Sequence, residues 1–154
     1  MNDDITKRVV LAEPLERVWN AIADSAAYGT WFGAAWNGPF VVGKPTAGHI
    51  VPTTVDAEIA AAQEPFAGLP ITLHIDTIEP LQTFAFRWNA SPDSDILTTV
   101  TFRLTPVDEG VELTITESGF DALPTEVRDT TRDDKAGGWE AQTRLIAGFL
   151  EQNA

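Results

Sequence analysis

The chain has 154 residues, 23 acidic against 10 basic side chains, and a net charge of −13 at neutral pH. That balance excludes the phosphate-neutralising surface of a nucleic-acid binder and disfavours anionic membranes. There is no cysteine, so disulfides, thiolate metal sites and thiol nucleophiles are excluded together. The length suits one domain spanning residues 1–154 with its own core. The opening "MNDDITKRVV" has neither a long apolar run nor a leader pattern, so a cytoplasmic location is expected.

In chain order, "ITKRVVLA" alternates as a strand with Ile5, Lys7, Val9 and Leu11 on one side. Pro14 opens a helix in which Leu15, Val18, Trp19 and Ile22 form one apolar stripe. "AYGTWFGAAWNGPF" predicts a short helical turn, and Gly38, Gly43, Pro45 and Gly48 mark turns around two short strands. "VDAEIAAAQEPFAG" predicts a short inserted helix ending near Pro65, lying across one end of a sheet.

"ITLHIDTIE", "TFAFRWN", "ILTTVTFRLTP" and "VELTITESG" then alternate with period two and are separated by turn residues, which predicts antiparallel hairpins. One face gathers Phe84, Phe86, Trp88, Ile96, Val100, Phe102, Leu104, Val111, Leu113 and Ile115. The other carries Arg87, Thr99, Thr101, Arg103, Glu112 and Thr114. A sheet with one apolar face needs a cover, and the long helix after Pro124 supplies it through Trp139, Thr143, Ile146 and Leu150. The fold class is α+β. Gly137 and Gly138 inside that helix cost roughly 2 kcal/mol relative to alanines and invite a break there. Close packing against a strand and close approach of a bound molecule both explain such a pair.

The ordered stretches "ERVWNAIADSAAYGTWFG", "IDTIEPLQTFAFRW", "TTVTFRLTPVDEGVELTITESGF" and "GGWEAQTRLIAGFL" cover almost the whole chain. Together they resemble the bacterial family similar to the C-terminal domain of the activator of heat-shock protein 90 ATPase. That family lies within the START, polyketide cyclase and Bet v 1-like (SRPBCC) superfamily. The resemblance implies a helix-grip fold: a curved antiparallel sheet wrapped around a long C-terminal helix, with a cavity between them. It also implies that Gly138-Trp139 begins the well-packed part of the last helix. The eukaryotic activator has a further N-terminal domain without counterpart in this chain, so the chaperone interaction carried by the family name is the least expected function.

Parity points Glu117 inward with Val111, Leu113 and Ile115, where burial would raise its pKa and suit it to acid–base work or to holding a ligand. If the strand ends at Thr116, Glu117 lies instead at a wet rim. His74 faces away from Ile71, Leu73 and Ile75, and His49 lies among turn residues. Neither has metal-ligand spacing. "SPDSD" is a hairpin turn rather than a calcium loop, since it lacks the glycine and distal glutamate. No phosphate-binding glycine loop, dinucleotide fingerprint or serine triad is present, so no cofactor and no metal are expected.

Trp31, Phe32, Trp36, Phe66, Trp88, Phe120 and Trp139 are the aromatic side chains available to line a cavity, with Phe66 placed as part of a lid. Three functions remain open: binding of a small apolar or aromatic molecule, a cyclase- or dehydratase-like enzyme using Glu117, and a chaperone partner.

Overall fold

A computed structural model describes residues 4–91 and 93–153. Met1–Asp3 of the opening stretch and Pro92 of "SPDSD" lie outside the described residues.

The first strand, β1 (Ile5–Leu11), leads into helices α1 (Leu15–Ala23) and α2 (Ser25–Phe32). Pro14 precedes α1, whose first turn needs no N–H from it. Val18, Trp19 and Ile22 are buried, as the stripe predicts. The α2 N-terminus is capped by the Asp24 carboxylate, and Gly33 ends it in a left-handed conformation with φ 101°.

Strands β2 (Ala34–Trp36) and β3 (Pro45–Ile50) follow, then helix α3 (Ala57–Gln63) with a 3-10 turn over Glu64–Phe66. The hairpin strands are β4 (Pro70–Glu79), β5 (Thr83–Asn89), β6 (Leu97–Val107) and β7 (Gly110–Ser118). A second 3-10 turn, Phe120–Ala122, precedes the long helix α4 (Thr125–Gln152).

The strands form one antiparallel sheet in the order β1-β7-β6-β5-β4-β3-β2. Phe84, Phe86, Val100, Phe102, Leu104, Val111, Leu113 and Ile115 are buried on its inner face, as alternation requires. Simple alternation fails at one place. A β-bulge between Ile75 and Thr77 leaves Asp76 as the extra residue, so Ile75 pairs with Phe86 while Ile78 pairs with Phe84. The apolar set thus resumes at a spacing of three, and a bulge of this kind bends the strand and strengthens its twist. The sheet curves around α4 in a helix-grip arrangement.

The excursion between β3 and β4 ties itself to the helices. Gln63 donates to the carbonyl of Phe32 and accepts from the amide of Thr53, and Gln152 of α4 donates to the carbonyl of Val55.

Helix α4 runs unbroken through Gly137 and Gly138. Its two halves differ: none of residues 125–138 is buried, whereas Trp139, Thr143, Leu145, Ile146 and Leu150 are. A Cβ added at Gly137 or Gly138 would meet no atom within 4 Å, so no strand passes close to the pair. Close helix packing falls instead on Gly148, where an added Cβ would come within 2.8 Å of Val55 Cγ1.

Tyr28, the chain's single tyrosine, is fully buried among Trp31, Phe32, Phe40 and Phe102. Its hydroxyl has no hydrogen-bond partner among the described residues. Burial first, and the Glu117 carboxylate second, hold the phenol well above the ordinary tyrosine range.

Two outcomes follow. Gly137→Ala removes a helix penalty without a clash and should stabilise the protein by about 0.5–1 kcal/mol, raising Tm by about 2–4 °C in a thermal melt. The folded state keeps the phenolic proton, so stability falls as pH rises through the unfolded-chain value of about 10. Tyrosinate absorbance near 295 nm should therefore appear together with the loss of far-ultraviolet circular dichroism, and ionisation of the intact fold would contradict the burial.

Candidate functional site

Glu117 is placed by β7 with its side chain fully buried, so the strand continues past Thr116 and the rim position is excluded. An interior carboxylate is tolerated only when its oxygens are occupied. Oε2 accepts from Trp88 Nε1 of β5 at 2.9 Å and from Thr98 Oγ1 of β6 at 2.5 Å. Oε1 accepts from Trp139 Nε1 of α4 at 2.7 Å. Lys135, one turn before Trp139, brings its Nζ to 3.8 Å from Oε2 and to 3.8 Å from the centroid of the Trp88 ring. Three strands and the helix therefore meet at one carboxylate.

In front of this cluster, under the unburied half of α4, lies a two-lobed cleft. The smaller lobe, about 270 Å³, is bounded by Phe32, Trp88, Trp139, Lys135 and Gly138. The larger, about 530 Å³, shares Phe32, Trp88, Lys135, Gly138 and Gln142 and extends to Ile50, Phe66, Leu69 and Ile71. Volumes of this size suit a small organic molecule. Thr131, Lys135, Gly138 and Gln142 recur at spacings of four, three and four, which puts them on one face of α4. Burial lowers the Lys135 pKa below the ordinary lysine value, and the Glu117 charge partly opposes that shift. Among the described residues no helix is long and apolar enough to cross a membrane, and no group of acidic or histidine side chains has the arrangement of a metal site.

Residues 12–151 match the family described as Activator of Hsp90 ATPase homolog 1-like protein. The chain belongs to that family. Solved structures with the same fold include protein MLL2253 from Mesorhizobium loti, at 19% identity and TM-score 0.74 over 98% of each chain. Another is the protein encoded by BPP1335 of Bordetella parapertussis, at 23% identity and TM-score 0.68 over 97% of this chain and 75% of that one. A third is DynU16, a putative protein of the dynemicin biosynthetic locus, at 21% identity and TM-score 0.73. This chain is covered to 99% in that match but spans about half, 49%, of DynU16. No protein of curated function matches the chain in sequence.

Within this Activator of Hsp90 ATPase homolog 1-like chain, four of the seven aromatic candidates line the cleft: Phe32, Phe66, Trp88 and Trp139. The other three lie outside its lining. Trp31 is fully buried and donates through Nε1 to the carbonyl of Ala21, joining α1 to α2. Phe120 is buried in the turn before α4. Trp36, at the end of the edge strand β2, packs on Tyr28 and Phe40.

Glu117 does not line the cleft either. Its oxygens are filled by the two indoles and Thr98, so its place is that of an anchor behind the wall rather than a group reaching a ligand. His74 pairs with Arg87 on the outer side of the sheet, and His49 is exposed on β3. Asp93 and Asp95 are exposed. Sequence reasoning missed Thr98, Lys135 and Gln142. The parity that selects Ile96 and Val100 also selects Thr98, and the helical spacing that puts Trp139 inside leaves Lys135 one turn away.

Glu117→Ala should destabilise the protein by about 3–5 kcal/mol in chemical denaturation, because it leaves three buried donors unpaired and a half-buried ammonium without its counter-charge. Glu117→Gln removes the upward pull on Lys135, so the Lys135 titration midpoint followed by 13C NMR should move further down. An upward or absent movement would contradict the pairing. In the parent protein the lowered midpoint means that the unfolded chain binds the extra proton. The destabilising contribution of Lys135 is thus complete below the folded midpoint and fades as pH rises toward the ordinary lysine value.

Proposed function

We propose that the protein binds a small apolar or aromatic molecule in the cleft between the curved sheet and the first half of α4. The observation that carries this reading is the Gly137–Gly138 pair. It weakens the helix and relieves no clash with the protein, and Gly138 borders both lobes of an aromatic-lined space. A backbone left bare toward open space is what a bound ring needs for close approach. The 57% exposure of Phe66 beside the larger lobe supports its part as a cover over such a molecule. The predominantly apolar and aromatic lining favours holding over turnover.

Gly138→Leu tests the reading. A Cβ at this position meets no atom within 4 Å, leucine raises helix propensity, and Gly138 borders both lobes of the cleft that the added bulk is meant to fill. The variant should melt no lower than the parent, yet lose most of the fluorescence enhancement of the neutral dye Nile red. It should also lose any extra mass seen by native mass spectrometry of the gently purified parent. Unchanged dye binding in a folded Gly138→Leu variant would exclude this cleft as the binding site. Phe66→Ala should weaken the same dye several-fold, and equal affinity would remove Phe66 from the cover.

A further inference from the structure

The cleft is not uniformly apolar. Lys135 lines both lobes, its side chain only 22% exposed, and no acceptor among the described residues lies within hydrogen-bonding distance of its Nζ. Its neighbours are the face of Trp88 and the Glu117 carboxylate, and the latter already accepts three hydrogen bonds. Two turns further along the same helix face, Gln142 donates through Nε2 to the Phe32 carbonyl, which fixes its amide. Its Oε1 is buried and has no hydrogen-bond partner among the described residues. Gly138 lies between them, and seven residues of helix span about 10 Å. A bare backbone is thus flanked by an ammonium lacking an acceptor and an amide oxygen lacking a donor.

The local charge narrows the choice. Asp134 and Lys135 are the charged side chains among the described residues that line the cleft, and Glu117 stands directly behind Lys135. The sum is negative, in a protein of net charge −13. A carboxylate ligand would therefore meet no surplus positive charge, while a cationic one would be pressed against the ammonium. A neutral oxygen acceptor uses the free N–H groups without either penalty.

The geometry points to a neutral, flat aromatic molecule bearing a carbonyl oxygen, with that oxygen accepting from Lys135 and the ring lying against Gly138. This rests on the cleft being a binding site, and it goes further by assigning Lys135 the choice of ligand class.

Three matched probes test it: 2-acetylnaphthalene, 2-ethylnaphthalene and 2-naphthoate, titrated into the full-length protein by isothermal calorimetry. The ketone should bind about tenfold tighter than the hydrocarbon, the return expected for one hydrogen bond from a charged donor, and tighter than the acid. In Lys135→Met the hydrocarbon affinity should stay within about twofold while the preference for the ketone disappears. Lys135→Gln, which keeps a neutral donor, should retain part of it and guards against a Met variant that misfolds. Tighter binding of 2-naphthoate than of the ketone, or a ketone-to-hydrocarbon ratio unchanged in both variants, overturns the assignment to Lys135 and leaves the binding site standing. Failure of all three probes, with Nile red also unbound, overturns the binding reading itself and this assignment with it.

Discussion

The Glu117 carboxylate is the constraint on which the arrangement depends. A charge in the interior must find donors, and the nearest are distributed over β5, β6 and α4. Meeting that requirement sets more than the position of one side chain. Trp139 is held by its indole N–H, which fixes the rotation of α4 about its own axis. Once that rotation is fixed, Lys135, Gly138 and Gln142 have no freedom in where they face. The bland anchor behind the wall thus sets the chemistry in front of it.

The helix does two jobs with its two halves. From Trp139 onward it is a core element, and Leu145, Ile146 and Leu150 lie under the sheet with the buried stripe of α1 nearby. Before Trp139 it has no buried residue and forms an overhang. The sheet bends beneath it, helped by the bulge at Asp76, and the gap between overhang and sheet is the cleft. A continuous hydrophobic stripe along all of α4 would have drawn the two layers together and closed the gap. The charged run "RDDK", with Ala136 and two glycines after it, prevents that closure.

The solved relatives share this fold at identities of 19–23%. At that distance the layer architecture persists while the lining of a cleft is free to differ, so the chemistry of this cleft is read from its own side chains. Those are aromatic walls, one glycine opening and a single lysine.

Much of the fold was legible beforehand. Period-two alternation separated the inner face from the outer on β5, β6 and β7, and helical spacing named the buried residues of α1 and the second half of α4. The inward direction of Glu117 followed from the same parity. Interruptions were not legible: the bulge in β4 appears in sequence only as a changed spacing between Ile75 and Ile78, and the glycine pair promised a break that the continuous helix does not make. Trp31, Trp36 and Phe120 could not be separated from the cleft-lining aromatics, because composition and spacing assign a side chain to the interior without saying which part of it. What the chain alone determined is therefore which residues face inward and in what order the elements come. Only tertiary structure decided who meets whom: Glu117 finds its partners 19, 22 and 29 residues away, and Gly148 rather than Gly138 takes the close packing. The physical reason is that backbone periodicity sets the direction of a side chain, whereas its neighbours are set by the curvature of the sheet and the rotation of the helix laid across it.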